Sequence, residues 1–151
     1  MSDLSSSRLL HPNATQLPVS WYFDQKLFEL EKKLIFDDGP QYVGHELMVP
    51  EVGDYHTIAW MDHGRMLVRN QQGVELLSNV CRHRQAIMLE GRGNSQNIVC
   101  PLHRWTYKMD GELLGAPHFP DNPCLNLGKA PLQNWQGLLF AGKRDVARDL
   151  A

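Results

Sequence analysis

The apolar positions of this chain change period once. Phe23, Leu27, Leu30 and Leu34 recur at i, i+4, i+7 and i+11, which lays them along one face of a helix. Ser20 and Asp24 each offer a side-chain oxygen for the N-cap. Glu29 and Lys33 make an i,i+4 pair on the wet side, and Asp37-Asp38-Gly39-Pro40 stops the helix. The pattern predicts a helix over 21–36, its apolar face packed into a core or docked to a neighbouring domain. Residues 1–19 precede it. Pro12, Pro18 and the run Ser5 to Ser7 predict an N-terminal arm there.

Beyond Pro40 the pattern becomes that of strands. Tyr42–Val49 is half-buried in character, Tyr55–Trp60 is β-branched and aromatic, and Arg65–Arg69 and Val74–Asn79 read as two further strands. Turn residues separate them at Pro50–Asp54, Asp62-His63-Gly64 and Asn70–Gly73. Further on, Ile98-Val99 and Trp105–Lys108 read as strands. Met109-Asp110-Gly111 turns into Glu112–Leu114, and Gln136–Ala141 reads as the last strand. Between them, residues 116–130 hold Pro117, Pro120, Pro123 and Gly128 and are predicted to be an ordered loop. Many short strands with no intervening helices predict an all-β antiparallel meander and not βαβ units.

Length and composition narrow the class. The 151 residues suffice for one domain with a core, and a net charge of −2 gives nucleic acid and anionic membranes nothing to grip. No run of apolar residues is long enough to span a bilayer. The opening MSDLSSS lacks the basic start and apolar core of a signal peptide, so no membrane anchor is expected. Three cysteines, an odd number, point to a reducing, cytoplasmic setting.

Chemistry concentrates between Cys81 and His103. Cys81-Arg82-His83-Arg84 is C-x-H. After the sixteen residues from Arg84 to Val99 comes Cys100-Pro101-Leu102-His103, which is C-x-x-H. Two thiolates and two imidazoles suit zinc or an iron–sulfur centre. Common zinc modules pair like with like, whereas here each loop mixes Cys and His. Mixing suits a two-iron cluster with both thiolates on one iron and both imidazoles on the other. A mononuclear zinc site remains the competing reading. If the first loop is extended, the two-residue offset points Cys81 and His83 the same way. Pro101 supplies a fixed φ for the turn in the second.

The run CRHR…CPLHRWTYKMDGEL resembles the Rieske domain of the alpha subunits of ring-hydroxylating oxygenases. The family pattern is C-x-H-R, a gap, C-x-x-H-x-W-x-Y and a D-G-x-L turn. Cys81, His83, Cys100 and His103 fall on the ligand positions. Trp105, Tyr107, Asp110, Gly111 and Leu113 match the later positions of the pattern, and a W-x-G-x-x-F strand matches at Trp135–Phe140. Two positions depart from the pattern: Gln85 and Arg104 stand where the family has Gly, which permits positive φ.

The resemblance implies a Rieske-type antiparallel β-sandwich over 20–145 with one N-terminal helix, a tail over 146–151, and a [2Fe–2S] cluster. It implies electrons arriving from a reductase or ferredoxin and leaving to a mononuclear non-haem iron that hydroxylates a substrate. That iron belongs to a further catalytic domain, which this chain is not expected to contain. A shorter stand-alone Rieske ferredoxin is the alternative, and trimeric alpha subunits are the assembly implied. The high-potential branch of Rieske proteins carries a disulfide between the loops and a Ser near the second ligand. Ala86, Leu102 and Trp105 occupy those places here. Tyr107 remains as a hydroxyl donor, so Tyr107 and Trp105 are the expected tuning residues. With few donors the potential is expected near the bottom of the span of roughly −150 to +300 mV. Arg82, Arg84 and Arg104 flank the loops as plain surface charge or as a rim for an acidic partner. Cys124 is expected to be a free thiol and His118 a surface residue.

Overall fold

The computed structural model describes residues 17–150. Residues 1–16, most of the expected arm, lie outside the described residues. The chain divides into two units, Met1–Gly39 and Pro40–Ala151.

In the first unit the predicted helix is broken into three. A 3₁₀ turn covers Val19–Tyr22, α1 runs Gln25–Glu31, and a π-helical turn continues it over Lys32–Asp37. Of the two cap candidates Asp24 serves, accepting from the backbone N–H of Lys26 at 2.8 Å and of Leu27 at 3.1 Å. The wider last turn is closed by Asp38 N–H to the Lys33 carbonyl, an i→i−5 bond. No residue of α1 or the π-turn is buried, and Phe23 and Leu34 are exposed. The predicted apolar face is therefore no core face among the described residues.

The second unit is built from eleven strands. They are β1 Gln41–His45, β2 Asp54–Thr57, β3 Arg65–Asn70, β4 Gly73–Ser78, β5 Arg92–Asn94, β6 Asn97–Val99, β7 Thr106–Lys108, β8 Leu113–Gly115, β9 Lys129–Ala130, β10 Leu132–Trp135 and β11 Leu138–Ala141. They form three antiparallel sheets, ordered β1-β11-β10, β5-β2-β3-β4-β9 and β6-β7-β8.

The five-stranded sheet is the middle layer. In β3 the side chains of Met66, Leu67 and Val68 are all fully buried, which requires cover on both faces of the strand. Alternation then splits them. Leu67 and Leu76 pack with Val43, Leu139 and Ala141 of the β1-β11-β10 sheet. Met66, Val68 and Leu77 pack with Ile98, Tyr107 and Leu113 of the β6-β7-β8 sheet, and with Cys81, Cys100 and Trp105. The expected sandwich is present, with a small third sheet added on the side that carries the cysteines.

Several short elements differ from expectation. β5 and β9 are stretches of two or three residues held by pairing with β2 and β4, too short to show a period. Gln136 and Gly137, expected inside the last strand, form instead a two-residue hairpin loop, with φ of 51° and 87°. Both left-handed residues mark a type I′ turn, and the turn creates β10. Val146–Asp149, expected as charged tail, is a helical turn, α2. Asp145 caps it, and Val146 is buried. Tyr42–Val49 and Tyr55–Trp60 each end early as strands, in the 3₁₀ turns Glu46–Met48 and Ala59–Met61.

One buried polar residue joins the middle sheet to the hairpin that carries Cys81 and His83. Asn79 is fully buried. Its amide donates to the carbonyls of His63 at 2.9 Å and Leu89 at 2.8 Å, and accepts from Leu89 N–H at 3.0 Å. These bonds tie both ends of the segment that contains Cys81 and His83. Asn79→Ala would remove the partner of three part-buried backbone groups. A loss of about 1–3 kcal/mol in urea unfolding is the expected outcome.

Candidate metal centre

The two loops that carry the Cys–His pairs share one backbone plan. In the first, Cys81 N–H donates to the Ala86 carbonyl at 2.9 Å and Gln85 N–H to the Cys81 carbonyl at 3.0 Å. In the second, Cys100 N–H donates to the Trp105 carbonyl at 2.8 Å and Arg104 N–H to the Cys100 carbonyl at 3.1 Å. Val80 pairs with Ile87 below one loop, and Val99 with Thr106 below the other. Each loop is thus a tight turn between paired strands, with Cys at its start. The first is not extended, so the two-step reason for aligning Cys81 with His83 does not apply. The turn itself brings them round.

Both turns close through a left-handed residue, Gln85 at φ 56° and Arg104 at φ 62°. These are the two positions where the resembled family has Gly. The backbone requirement persists here without the residue that meets it most cheaply.

Cys81 and Cys100 are each about 1% exposed and form no disulfide. His83 and His103 are half-buried, and their ring centroids lie 4.7 Å apart. Nδ1 of His83 is buried with no hydrogen-bond partner. Burial, and then the neighbouring His103 and Arg84, push the His83 pKa below the usual histidine range and hold the ring neutral, the form that binds metal. Among the described residues no three His, Cys, Asp or Glu side chains group tightly enough to hold one metal ion. Two buried thiols, two adjacent imidazoles and an orphaned ring nitrogen fit a larger group with soft and borderline sites.

Around these four stand residues from the adjacent strand and loop. Tyr107 of β7, fully buried, brings its hydroxyl to 3.5 Å from Cys81 Sγ and accepts from Arg82 N–H at 3.2 Å. With its acceptor side so engaged, its hydrogen is free for the sulfur. Burial, and then the bond to Cys81, raise its pKa far above neutrality, so it stays a donor. Trp105 stacks flat on His83 at 5.0 Å, and Phe119 stands edge-on to both rings. Arg82, Arg84 and Arg104 are exposed beside the loops. Cys124 is an exposed free thiol, and His118 is exposed. Sequence reasoning missed Asn79 and Phe119. Asn79 carried only the signal of a polar residue ending a strand before the first ligand, and Phe119 sits in a loop with no period.

Comparison with known proteins settles the family. The model of the Rieske [2Fe-2S] domain matches residues 39–134. The chain belongs to the Rieske [2Fe-2S] domain family. Putrescine 2-hydroxylase of Ralstonia nicotianae is 69% identical over 151 residues, covering 100% of this chain and 41% of that protein. The putrescine 2-hydroxylase of Bordetella bronchiseptica is 52% identical, covering 100% of this chain and 39% of its own length. This Rieske domain therefore spans about two fifths of those relatives. Among solved structures, the quaternary ammonium Rieske monooxygenase in complex with L-carnitine superposes with a TM-score of 0.69 at 26% identity. That match covers 86% of this chain and 40% of that one. The Rieske domain indicates a Rieske-type [2Fe–2S] cluster as cofactor, and no described helix is long and apolar enough to cross a membrane.

Substitutions at Tyr107 and Gln85 probe the donor and the turn separately. Tyr107→Phe removes a donor to sulfur that favours the reduced cluster, so the midpoint potential should move negative in a redox titration, starting from a wild-type value below zero. Gln85→Gly should leave unfolding stability unchanged or raise it by up to about 1 kcal/mol. Gln85→Val should lower it by about 1–2 kcal/mol, because a β-branched residue tolerates positive φ least.

Proposed function

We propose that Cys81, His83, Cys100 and His103 ligate the cluster, the two thiolates on one iron and the two imidazoles on the other. The observation that carries this is the pair of equivalent turns, each offering one buried thiol and one imidazole, with His83 Nδ1 left without a partner. When bound, the cluster supplies one-electron transfer. Cys81 and Cys100 hold it on the buried side, and the half-exposed histidines form the side from which electrons come and go.

The activity of the whole protein is oxygenation of a small aliphatic amine. Relatives that align with the full chain are named for putrescine, and a structural relative holds L-carnitine, so an ammonium-bearing aliphatic chain is the shared substrate chemistry. A diamine is the first substrate to try, given 69% identity. The electrons come from a reductase or ferredoxin and pass to a non-haem iron in a catalytic domain, within an assembly such as the trimer of the resembled family.

The donor docks on the basic rim. Arg82, Arg84 and Arg104 are exposed and form no ion pair among the described residues. A fourth cation, Arg65, lines with Arg82 and Gln85 a cavity of about 320 Å³ beside Cys81. On a chain of net charge −2 these unpaired guanidiniums make a local positive field that steers an acidic partner.

The test uses the full-length protein with a reductase, a reduced nicotinamide, O2 and putrescine. About three irons for every two acid-labile sulfides (two irons in the cluster and one mononuclear), a Rieske-type EPR signal on reduction, and a product heavier by one oxygen atom are expected. Cluster reduction by the donor should slow as salt rises, and an Arg82→Gln, Arg84→Gln double variant should flatten that slope. Zinc without sulfide would sink the cluster assignment, and a salt-independent rate would sink the rim.

A further inference from the structure

The two ligand turns share a backbone but not the residue that closes them. Ala86 closes the first and Trp105 the second. Trp105 is 1% exposed and lies nearly parallel to His83, the planes 5° apart. Its indole Nε1 is buried and has no hydrogen-bond partner, as is Nδ1 of the imidazole stacked against it.

An indole nitrogen only donates, and a buried donor without an acceptor is rare because desolvation is not repaid. Stacking alone does not call for that N–H, since a Phe ring would stack on His83 as well. An acceptor does call for it. The sulfurs of Cys81 and Cys100 do not serve it, and a cluster held by the loops would bring further acceptors, its sulfides. The same group that accounts for His83 Nδ1 accounts for the second orphan.

We propose that the indole N–H of Trp105 donates a hydrogen bond to a sulfur of the group bound by the loops, while its ring fixes the plane of His83. Trp105 is then a positioning and tuning residue for the cluster, with a role in the second turn that parallels Tyr107 beside Cys81. This role rests on ligation of the cluster by the four Cys and His residues. A donor to sulfur favours the more negative, reduced state, so its loss lowers the potential.

The experiment compares cluster-loaded wild type with Trp105→Phe, which keeps a flat ring and removes the N–H. Iron and sulfide content should be unchanged. The midpoint potential should shift negative, and one exchangeable-proton coupling to the reduced cluster, read by ENDOR in H2O against D2O, should vanish. Wild type grown with 15N-indole tryptophan should show a nitrogen coupling that the variant lacks. Trp105→Leu, which removes the stack too, should in addition alter the histidine nitrogen couplings. An unchanged midpoint with all exchangeable couplings retained in Trp105→Phe would overturn the proposal alone. A wild-type protein without iron and sulfide would overturn the ligand assignment and this proposal with it.

Discussion

The constraint on which the site depends is the closure of two tight turns. In each, the cysteine N–H reaches the carbonyl five residues on, and the residue four on comes back to the cysteine carbonyl. Both bonds form only if that fourth residue takes a left-handed conformation, as Gln85 and Arg104 do. Closure turns each thiol inward, where Cys81 and Cys100 are about 1% exposed, and leaves the histidines near the surface. The inequality between thiol and imidazole comes from the backbone before any metal is considered. A cluster ligated as proposed would have a buried end and an accessible end.

Turns under strain need a rigid base, and the middle sheet supplies it. Met66 and Val68 of β3 pack towards the ligand side, and Leu67 between them packs towards the β1-β11-β10 sheet. Strain at the loops is thereby set against a strand buried on both faces, the least yielding part of the unit. Asn79 carries that rigidity into the first loop through three bonds, and Asn70 reaches the Met109 carbonyl at 3.4 Å, near the β7–β8 turn. The two asparagines are buried polar groups kept because each is bonded.

The placing of Cys81, His83, Cys100 and His103 on two neighbouring turns, the hairpin at Asp110-Gly111 and the strands around them were legible because their signals are local: fixed spacing, turn residues, and a three-residue apolar run. The features that were not legible depend on partners distant in sequence. Gln136-Gly137 reads as strand until β10 is seen to pair back across it. β5 and β9 have no period of their own and exist by pairing. The helix over 21–36 was expected as one element, but propensity does not report the widening of its last turn at Lys32–Asp37. The missing glycines of the loops were visible in sequence. That the left-handed geometry would survive their replacement was not, because the two closing bonds that hold it are set by the whole turn.

The donor inventory connects this geometry to electron transfer. No disulfide links the loops, and the position two residues after His103 holds Trp105 in place of a serine. The Tyr107 hydroxyl reaches the Cys81 sulfur at 3.5 Å, a long contact even for sulfur. Long and few donors leave the negative charge of the reduced cluster weakly compensated from within the protein. The exposed cations beside the loops compensate it little, because water screens them. In the proposed docking their effect falls instead on encounter, where an acidic donor would feel a positive rim on an otherwise slightly acidic chain. Under the proposed ligation and docking, interior dipoles set how readily the cluster gives up its electron, and surface charge sets how fast it receives one. The two can be altered separately, since Tyr107 and Trp105 are buried and the arginines are not.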